Sequence, residues 1–175
     1  KETVTFTATS ARYVRMQGVK RALPYGYSLW EFEVYGNNSS GKVEPTYGVV
    51  SKKKSVTTSG SENDVFAAKN AVDGNEGTRW SSNFADNAWI TVDLGETYSV
   101  DKVILNWEGA YGKAYKIQTS TNGSSWTTVK NVTNGKGGKE TVTFTATSAR
   151  YVRMQGVTRA LPYGYSLWEM EVYGK

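Results

Sequence analysis

The chain has 175 residues, with 21 Lys and Arg against 16 Asp and Glu, and a formal net charge of +5. It contains no cysteine and no histidine, which excludes disulfides, thiolate zinc sites, cysteine nucleophiles and any histidine-dependent triad. Six Trp and twelve Tyr indicate a folded chain, and the basic residues are scattered among acids rather than clustered as a nucleic-acid-binding face requires.

The first segment of the chain, residues 1–36, recurs as residues 139–174. Only two of these 36 positions differ: Lys20 corresponds to Thr158, and Phe32 corresponds to Met170. An offset of 138 residues matches a whole domain rather than a solenoid repeat. The repeat predicts tandem, near-identical modules. Residues 1–36 are then the C-terminal fragment of a preceding module, residues 37–42 a polar linker, and residues 43–175 a complete module.

The N-terminal fragment cannot bury a core by itself, because it supplies only the last strands of a module. Two arrangements stay open for residues 1–36. The fragment either trails from the module, disordered or paired with a neighbouring molecule, or it replaces the near-identical residues 139–174 inside the sandwich. We expect the complete module to use its own residues 139–174.

The complete module is predicted to be all-β, because short segments alternate apolar and polar side chains with a period of two. The Asn122-Gly123 pair predicts a hairpin. Such a set of short strands favours an antiparallel sandwich or jelly roll. The predicted strands are residues 89–94, 102–107, 114–120, 125–129, 141–145, 151–157 and 167–173.

A family resemblance extends over residues 43–174. It is carried by Ala71–Ser81 (AVDGNEGTRWS), Trp89–Gly95 (WITVDLG), Ser120–Trp126 (STNGSSW), Ala149–Arg153 (ARYVR) and Tyr165–Gly174 (YSLWEMEVYG). In this order the motifs resemble the discoidin (coagulation factor 5/8 type C) family. Within it they are most similar to family-32 carbohydrate-binding modules, such as the tandem discoidin domains of bacterial chitosanase/glucanases. The resemblance implies an eight-stranded antiparallel jelly-roll β-sandwich with a ligand site in the loops at one end.

The loop at residues 73–78 has two interpretations. Its Gly, Asp and Asn residues suit a turn whose side chains satisfy local backbone donors. The same oxygens suit Ca²⁺, which takes about six to eight oxygen ligands. The resemblance implies a structural Ca²⁺ held by the side chains of Asp73, Thr78 and Glu169 and by the carbonyls of Asn70 and Asn75. Such an ion joins the loop to the last strand and takes no part in chemistry.

Aromatic residues divide into predicted core and predicted surface. Tryptophans in or beside strands bury a large apolar area, so we assign Trp80, Trp89, Trp126 and Trp168 to the core. Aromatic residues at turn tips are expected to be exposed, where a flat ring can cover the C–H face of a sugar, although scattered surface aromatics also occur without function. The candidate ligand-binding aromatics are Phe84, Tyr111, Tyr163 and Tyr165.

Three charged loop residues accompany these aromatics: Glu62, Arg79 and Glu108. Singly, each suits a solvated charge or half of a weak salt bridge. In chitosan-binding relatives, acidic loop residues meet the glucosamine ammonium. The resemblance therefore implies that role for Glu62 and Glu108, with Arg79 bonding sugar hydroxyls or orienting a Glu. Modules linked in tandem raise the effective concentration of such a weak site.

The resulting prediction is a non-catalytic module that targets a secreted bacterial polysaccharide hydrolase to chitosan. Its predicted partners are the polymer, a linked catalytic domain and a sister module, with no nucleic acid and no membrane. Neutral β-1,3-glucan or a galactose-type sugar is the alternative ligand. A small glycoside hydrolase using the Glu62 and Glu108 carboxylates is a competing class, disfavoured because shallow end loops exclude little water. Membrane binding through Phe84 and Leu161 ranks third.

Overall fold

The computed structural model describes residues 1–9, 11–36 and 46–175 and separates the chain into two units, Lys1–Val43 and Glu44–Lys175. Within these ranges every strand and helix belongs to the second unit. The predicted linker, residues 37–42, lies outside the described residues. Among the residues that are described, helices are too short and too polar to cross a membrane.

The second unit is built from antiparallel strands, as the sequence predicts. The hydrogen-bonded order is β1-β8-β4-β7-β5-β6, and β2 and β3 add to β4 and β8. Two 3₁₀ helices, Asp64–Phe66 and Ala68–Val72, lie between β2 and β3. The strands are β1 (Gly48–Val49), β2 (Ser55–Thr58), β3 (Trp80–Ser81), β4 (Trp89–Trp107), β5 (Gly112–Ser120), β6 (Thr127–Val132), β7 (Lys139–Arg159) and β8 (Ser166–Gly174). The predicted eight-stranded antiparallel sandwich is confirmed.

Two strands are longer than the sequence predicts. Residues 89–94 and 102–107 belong to the single strand β4, and residues 141–145 and 151–157 both lie in β7. The β4–β7 ladder continues through register shifts between Asp93 and Tyr98 and between Val100 and Lys102. Gly95 takes a φ of +84° at the first shift, a conformation that glycine adopts without steric cost. These irregularities bend the paired strands and let them serve both layers of the sandwich.

The predicted hairpin is confirmed between β5 and β6. The Asn122 side-chain oxygen accepts hydrogen bonds from the backbone N–H groups of Ser124 and Ser125, both at 2.9 Å. Gly123 follows with a φ of +76°. The strand after this turn begins at Thr127 rather than at residue 125, because the side-chain bonds of Asn122 hold the intervening residues in the turn.

The core lies between the layers, and buried positions alternate with exposed or half-buried ones over parts of β4, β5 and β7. Trp80 is fully buried in it, as predicted. The core assignment is wrong for Trp89, Trp126 and Trp168, which are only half-buried. Ile90 and Val92 take the inward positions of β4, so Trp89 faces outward, where the Arg153 guanidinium carbon lies 4.4 Å from its ring centre and 3.7 Å from that of Trp126.

The first unit contains no strand or helix among residues 1–9 and 11–36. Most of its large apolar side chains are exposed, including Leu29 and Trp30. In the second unit, strands β7 and β8 are residues 139–159 and 166–174, the near-identical copy of this sequence.

Candidate functional site

Four connections of the second unit bring loop side chains around one depression of about 290 Å³. They are the β2–β3 segment, which carries both Glu62 and Arg79, and the β3–β4, β4–β5 and β7–β8 loops. Five of the seven predicted ligand-binding residues line it together: Glu62, Arg79, Phe84, Glu108 and Tyr163. Leu161, Ser81, Gly109 and Ala110 complete the lining.

The two acidic residues are positioned by backbone hydrogen bonds rather than by ion pairs. The Glu62 N–H donates to the Ser81 carbonyl at 2.8 Å, which fixes this residue beside β3. The Glu108 N–H donates to the Ser166 carbonyl at 3.0 Å at the start of β8. The Glu108 carboxylate also accepts from the Ala110 N–H at 3.2 Å. Both carboxylates therefore stand on a rigid sheet end, with oxygens free to accept hydrogen bonds.

Arg79 is held in place from two sides. Its guanidinium donates to the Ser166 hydroxyl at 2.8 Å, and its guanidinium carbon lies 3.8 Å from the centre of the Phe66 ring. The Asn70 side-chain amide donates to the Arg79 carbonyl at 3.0 Å. A planar guanidinium fixed in this way presents its remaining N–H groups in a set direction, which suits recognition of hydroxyl oxygens.

The aromatic walls of the depression are Phe84 and Tyr163, which are 58% and 61% exposed. The Arg159 guanidinium holds the β7–β8 turn by donating to the carbonyls of Pro162 and Tyr163 at 3.2 and 3.3 Å. The Arg159 backbone N–H and its guanidinium both donate to the Asp86 carboxylate at 3.0 Å, and these two bonds hold the pKa of the Asp86 carboxyl below its ordinary value. The β3–β4 and β7–β8 loops that carry the two rings are thus tied together.

The prediction that Tyr165 is an exposed turn aromatic is wrong. Its side chain is fully buried, its hydroxyl donates to the Asp86 carbonyl at 2.7 Å, and burial raises its pKa to about 12. Because Tyr165 comes directly before β8, its ring enters the core while Tyr163 stays at the turn tip. Tyr111 is half-buried against the core and does not line the depression. Neither ring presents a face there.

Sequence reasoning missed the residues that support the site. Ser166 holds both Arg79 and the Glu108 backbone, Phe66 lies against the Arg79 guanidinium, and Ser81 forms part of the lining. Isolated serines carry no pattern in a sequence, so only their position in β3 and β8 could have identified them. The sequence suggests Leu161 only as a membrane contact beside Phe84, whereas it also lines the depression.

The depression can bind a polar, ring-shaped ligand. Two carboxylates accept hydrogen bonds from hydroxyl or ammonium donors, the guanidinium of Arg79 donates to hydroxyl oxygens, and two aromatic faces cover C–H surface. The depression is open and shallow, so a ligand there keeps part of its hydration. Affinity then depends on the orientation of a few polar groups on a rigid frame.

A second set of oxygens converges where the loop at residues 73–78 meets β8. The Asn75 N–H lies 2.8 Å from one Asp73 carboxylate oxygen and 3.0 Å from one Glu169 carboxylate oxygen, so both acids share one donor. The Thr78 hydroxyl oxygen lies 2.7 Å from the other Asp73 oxygen and 3.0 Å from the Asn75 carbonyl oxygen, and its single proton serves the shorter contact, to the Asp73 carboxylate. The Gly74 N–H also donates to Glu169, at 2.8 Å.

These residues fit a hard cation such as Ca²⁺ in the nature of their donors. Burial, and secondarily the nearby Asp73 carboxylate, raises the pKa of Glu169 although two backbone N–H groups oppose the shift. A buried carboxylate close to another acid gains most from a positive ion. No cluster of three acidic side chains exists within residues 1–9, 11–36 and 46–175, so neutral oxygens would have to complete the set. The Asn70 side-chain amide donates to the Val65 and Arg79 carbonyls, and the role predicted for the Asn70 backbone carbonyl stays a prediction.

Comparison with known proteins adds independent support for the fold and the family. An F5/F8 type C family model, described as NedA-like, galactose-binding domain, matches residues 70–154. Chitosan-binding module 1 of a chitosanase/glucanase from Paenibacillus sp. IK-5 is 46% identical, with a TM-score of 0.70, over 73% of this chain and 99% of that one. Module 2 of the same enzyme, solved with chitotriose, is 47% identical, with a TM-score of 0.69, over 71% and 99%.

A curated relative places the same kind of module in a much larger protein. Polysaccharide lyase 8 family protein HylA of Enterococcus faecalis is 35% identical over 118 residues, which cover 63% of this chain. The chain spans only 8% of the length of that lyase. The chain therefore belongs to the discoidin-like F5/F8 type C family, as a carbohydrate-binding module similar to the chitosan-binding modules of chitosanase/glucanases and to family 32.

Proposed function

We propose that the second unit binds glucosamine oligosaccharides of chitosan in the depression of about 290 Å³. The observation that carries the proposal is the placement of the Glu62 and Glu108 carboxylates in one depression with the exposed rings of Phe84 and Tyr163. A glucosamine unit carries an ammonium, hydroxyls and a C–H face. The carboxylates accept from the ammonium, Arg79 donates to hydroxyls, and the rings cover the C–H face.

The similar Paenibacillus modules support this sugar, because they are described as chitosan-binding and one was solved with chitotriose. The alternative ligand is a neutral β-1,3-glucan or a galactose-type sugar, which the same aromatic rings can cover. The two ligand classes differ in the charge of the group that meets the Glu62 and Glu108 carboxylates, because only glucosamine carries an ammonium. An ammonium requires a carboxylate partner and its binding weakens with salt, whereas a neutral ring requires neither.

Calorimetric titration with glucosamine oligomers and with β-1,3-glucose oligomers, at low and high salt, tests the proposal. We expect only the glucosamine series to bind, and salt to weaken it. Replacing both acids, Glu62→Gln with Glu108→Gln, should remove most of this binding. Glu96→Gln is the matched control, because Glu96 is an exposed acid bonded to Tyr98 and does not line the depression.

The alternatives correspond to different results of this titration. Equal, salt-independent binding of both series, unchanged in the double variant, would assign the depression to a neutral glucan. If neither series binds, the assignment to these sugars is wrong. If Glu96→Gln weakens binding as much as the double variant, the loss reflects added positive charge on the protein as a whole rather than contacts in the depression.

The proposed role is targeting without catalysis. The depression is shallow and open, so it does not enclose a glycosidic bond between two carboxylates as the cleft of a glycoside hydrolase does. A soluble oligosaccharide incubated with the protein and followed by chromatography should therefore stay intact. Cleavage that disappears in the Glu62→Gln and Glu108→Gln variant would instead establish a hydrolase.

The proposal includes the setting of the module in its parent protein. We place the module in a bacterial polysaccharide-degrading enzyme outside the cell, joined to a catalytic domain and to a sister module whose last strands are residues 1–36. Ca²⁺ is proposed at Asp73, Thr78 and Glu169, with the carbonyls of Asn75, which here accepts from Thr78, and of Asn70 as further candidates. The ion would stabilise the loop against β8 and contact no sugar.

A further inference from the structure

The two copies of the repeated segment keep the same local geometry although only one of them forms strands. In the first unit, the Arg21 guanidinium donates to the carbonyls of Pro24 and Tyr25 at 3.2 and 3.4 Å. The Arg159 guanidinium of the second copy makes the equivalent two bonds across the β7–β8 turn. Tyr27 lies against Gly18 as Tyr165 lies against Gly156. The turn between the two strands is therefore present in both copies.

The ends of the segment also correspond. Lys1 pairs with Glu33 at 2.7 Å, and Lys139 pairs with Glu171 at 3.9 Å. The Tyr35 hydroxyl donates to Glu33 at 2.8 Å, as the Tyr173 hydroxyl donates to Glu171 at 2.9 Å. Residues 1–36 therefore keep several side-chain contacts of residues 139–174, while their large apolar side chains are exposed.

The place that this segment fits is defined by strand β4. β4 lies between β7 and β8, since Ile104 is opposite Thr141 on one side and Glu171 on the other. The side chains that β7 and β8 bury against it include Val152, Met154 and Leu167. The first copy carries the same side chains at Val14, Met16 and Leu29, and all three are exposed.

The segment between Gly36 and Gly48 is long enough for the first copy to reach β4 of the same molecule. Gly48 of β1 is the register partner of Gly174, so their Cα atoms are close neighbours. Gly36 is the equivalent of Gly174, and it precedes Gly48 by twelve positions. Twelve residues span up to about 40 Å when extended, far more than the separation of paired strands. The cost of closing so short a loop is small.

We propose that residues 1–36, wherever the strands of a preceding module do not hold them, are a second, competing set of strands β7 and β8 for the module of the same chain. The chain then has two arrangements: one uses residues 139–174, and the other is a circular permutant that uses residues 1–36 and releases residues 139–174. Of the two differing positions, only Met170 is buried, and the larger Phe32 must fit in its place. This difference favours residues 139–174. The proposal is independent of the sugar that the module binds.

Paired charge insertions in the full chain test this proposal. Val152→Asp with Met154→Asp places two carboxylates at fully buried positions and disables the second copy. Val14→Asp with Met16→Asp is the matched change in the first copy. We expect each double variant to keep a cooperative urea unfolding transition, because the other copy completes the sandwich. The quadruple variant should lose the transition altogether.

Limited trypsin digestion identifies which copy is in use, because Lys20 is a cleavage site only in the first copy. In the Val152→Asp and Met154→Asp variant, Lys20 should become protected and residues 139–174 should become sensitive. The proposal requires this variant to remain a monomer by size-exclusion chromatography, and a dimer would overturn it. Adding Phe32→Met should raise its unfolding midpoint. The proposal would also be overturned if the Val152→Asp and Met154→Asp variant lost its unfolding transition as fully as the quadruple variant, both with and without Phe32→Met.

Discussion

Residues 1–36 and 139–174 are nearly the same sequence in two different environments. Leu29 is 59% exposed and its equivalent Leu167 is fully buried, while Tyr27 is 52% exposed and Tyr165 fully buried. Local contacts do not differ in this way. Arg12 lies 5.3 Å from the Tyr13 ring centre and Arg150 lies 5.1 Å from that of Tyr151. The comparison shows that neighbouring residues set turns and side-chain pairs, whereas strand formation requires the partner strands β4 and β5.

The largest effect that separates the copies is expected from the core leucine. Leu167→Ala should lower the free energy of unfolding by about 2–5 kcal/mol, because it leaves a cavity in a fully buried position. Leu29→Ala, the same change in the first copy, should cost less than about 0.5 kcal/mol. Urea denaturation monitored by tryptophan fluorescence measures both. Equal losses would mean that the two copies share the buried position.

The second-largest expected difference between the copies is in the stabilisation that Ca²⁺ provides. At a concentration one hundred times its Kd, an ion bound only by the folded protein raises the free energy of unfolding by about 2.7 kcal/mol. Glu169→Gln should abolish the calcium-dependent rise in Tm, since the Glu169 carboxylate converges with Asp73 on the loop. Glu31→Gln, the equivalent change in the first copy, should leave the rise intact.

Calorimetry with and without a chelator measures this response. A calcium-dependent rise that persists in Glu169→Gln would remove this residue from the site. No rise in the unaltered protein would contradict the site itself. A rise that is lost in both variants would show that the first copy also contributes a ligand.

The smallest expected effect concerns the ion pair of Asp93. The Arg150 guanidinium makes two 2.9 Å bonds to the Asp93 carboxylate and holds its pKa below the ordinary value. Because the folded-state pKa is depressed, this stabilisation is present above the unfolded-state pKa, about 3.9, and is lost as pH falls through the folded-state value. Arg150→Ala should therefore slightly reduce the fall in the free energy of unfolding between neutral and acidic pH. Arg12→Ala should not.

Urea midpoints measured between neutral pH and the onset of acid unfolding, at low salt, provide this comparison. The pair is partly exposed, so added salt should reduce the difference between the variants. If Arg12→Ala reduced the pH dependence of the urea midpoint equally, the effect would come from net charge rather than from the ion pair.

Much of the site was predictable because loop residues with a chemical role stand out in a sequence. Glu62, Arg79, Phe84, Glu108 and Tyr163 were identified separately, and the fold brings them around one depression. Their binding role remains a prediction. Tyr163 and Tyr165 illustrate the limit of this reasoning, since two residues of one turn differ completely in exposure. The start of β8 decides the difference, and no local pattern marks it.

The sequence by itself determined the antiparallel β class, the hairpin at Asn122 and Gly123, the repeat and the family, because these depend on periodicity, turn chemistry and ordered motifs. Tertiary structure decided which tryptophans enter the core and how β4 and β7 bend between layers. It also decided which copy of the repeated segment becomes strands. The physical reason is that a strand is stabilised by partners distant in sequence, so identical residues are buried only where β4 and β5 complete their hydrogen bonds and cover their apolar side chains.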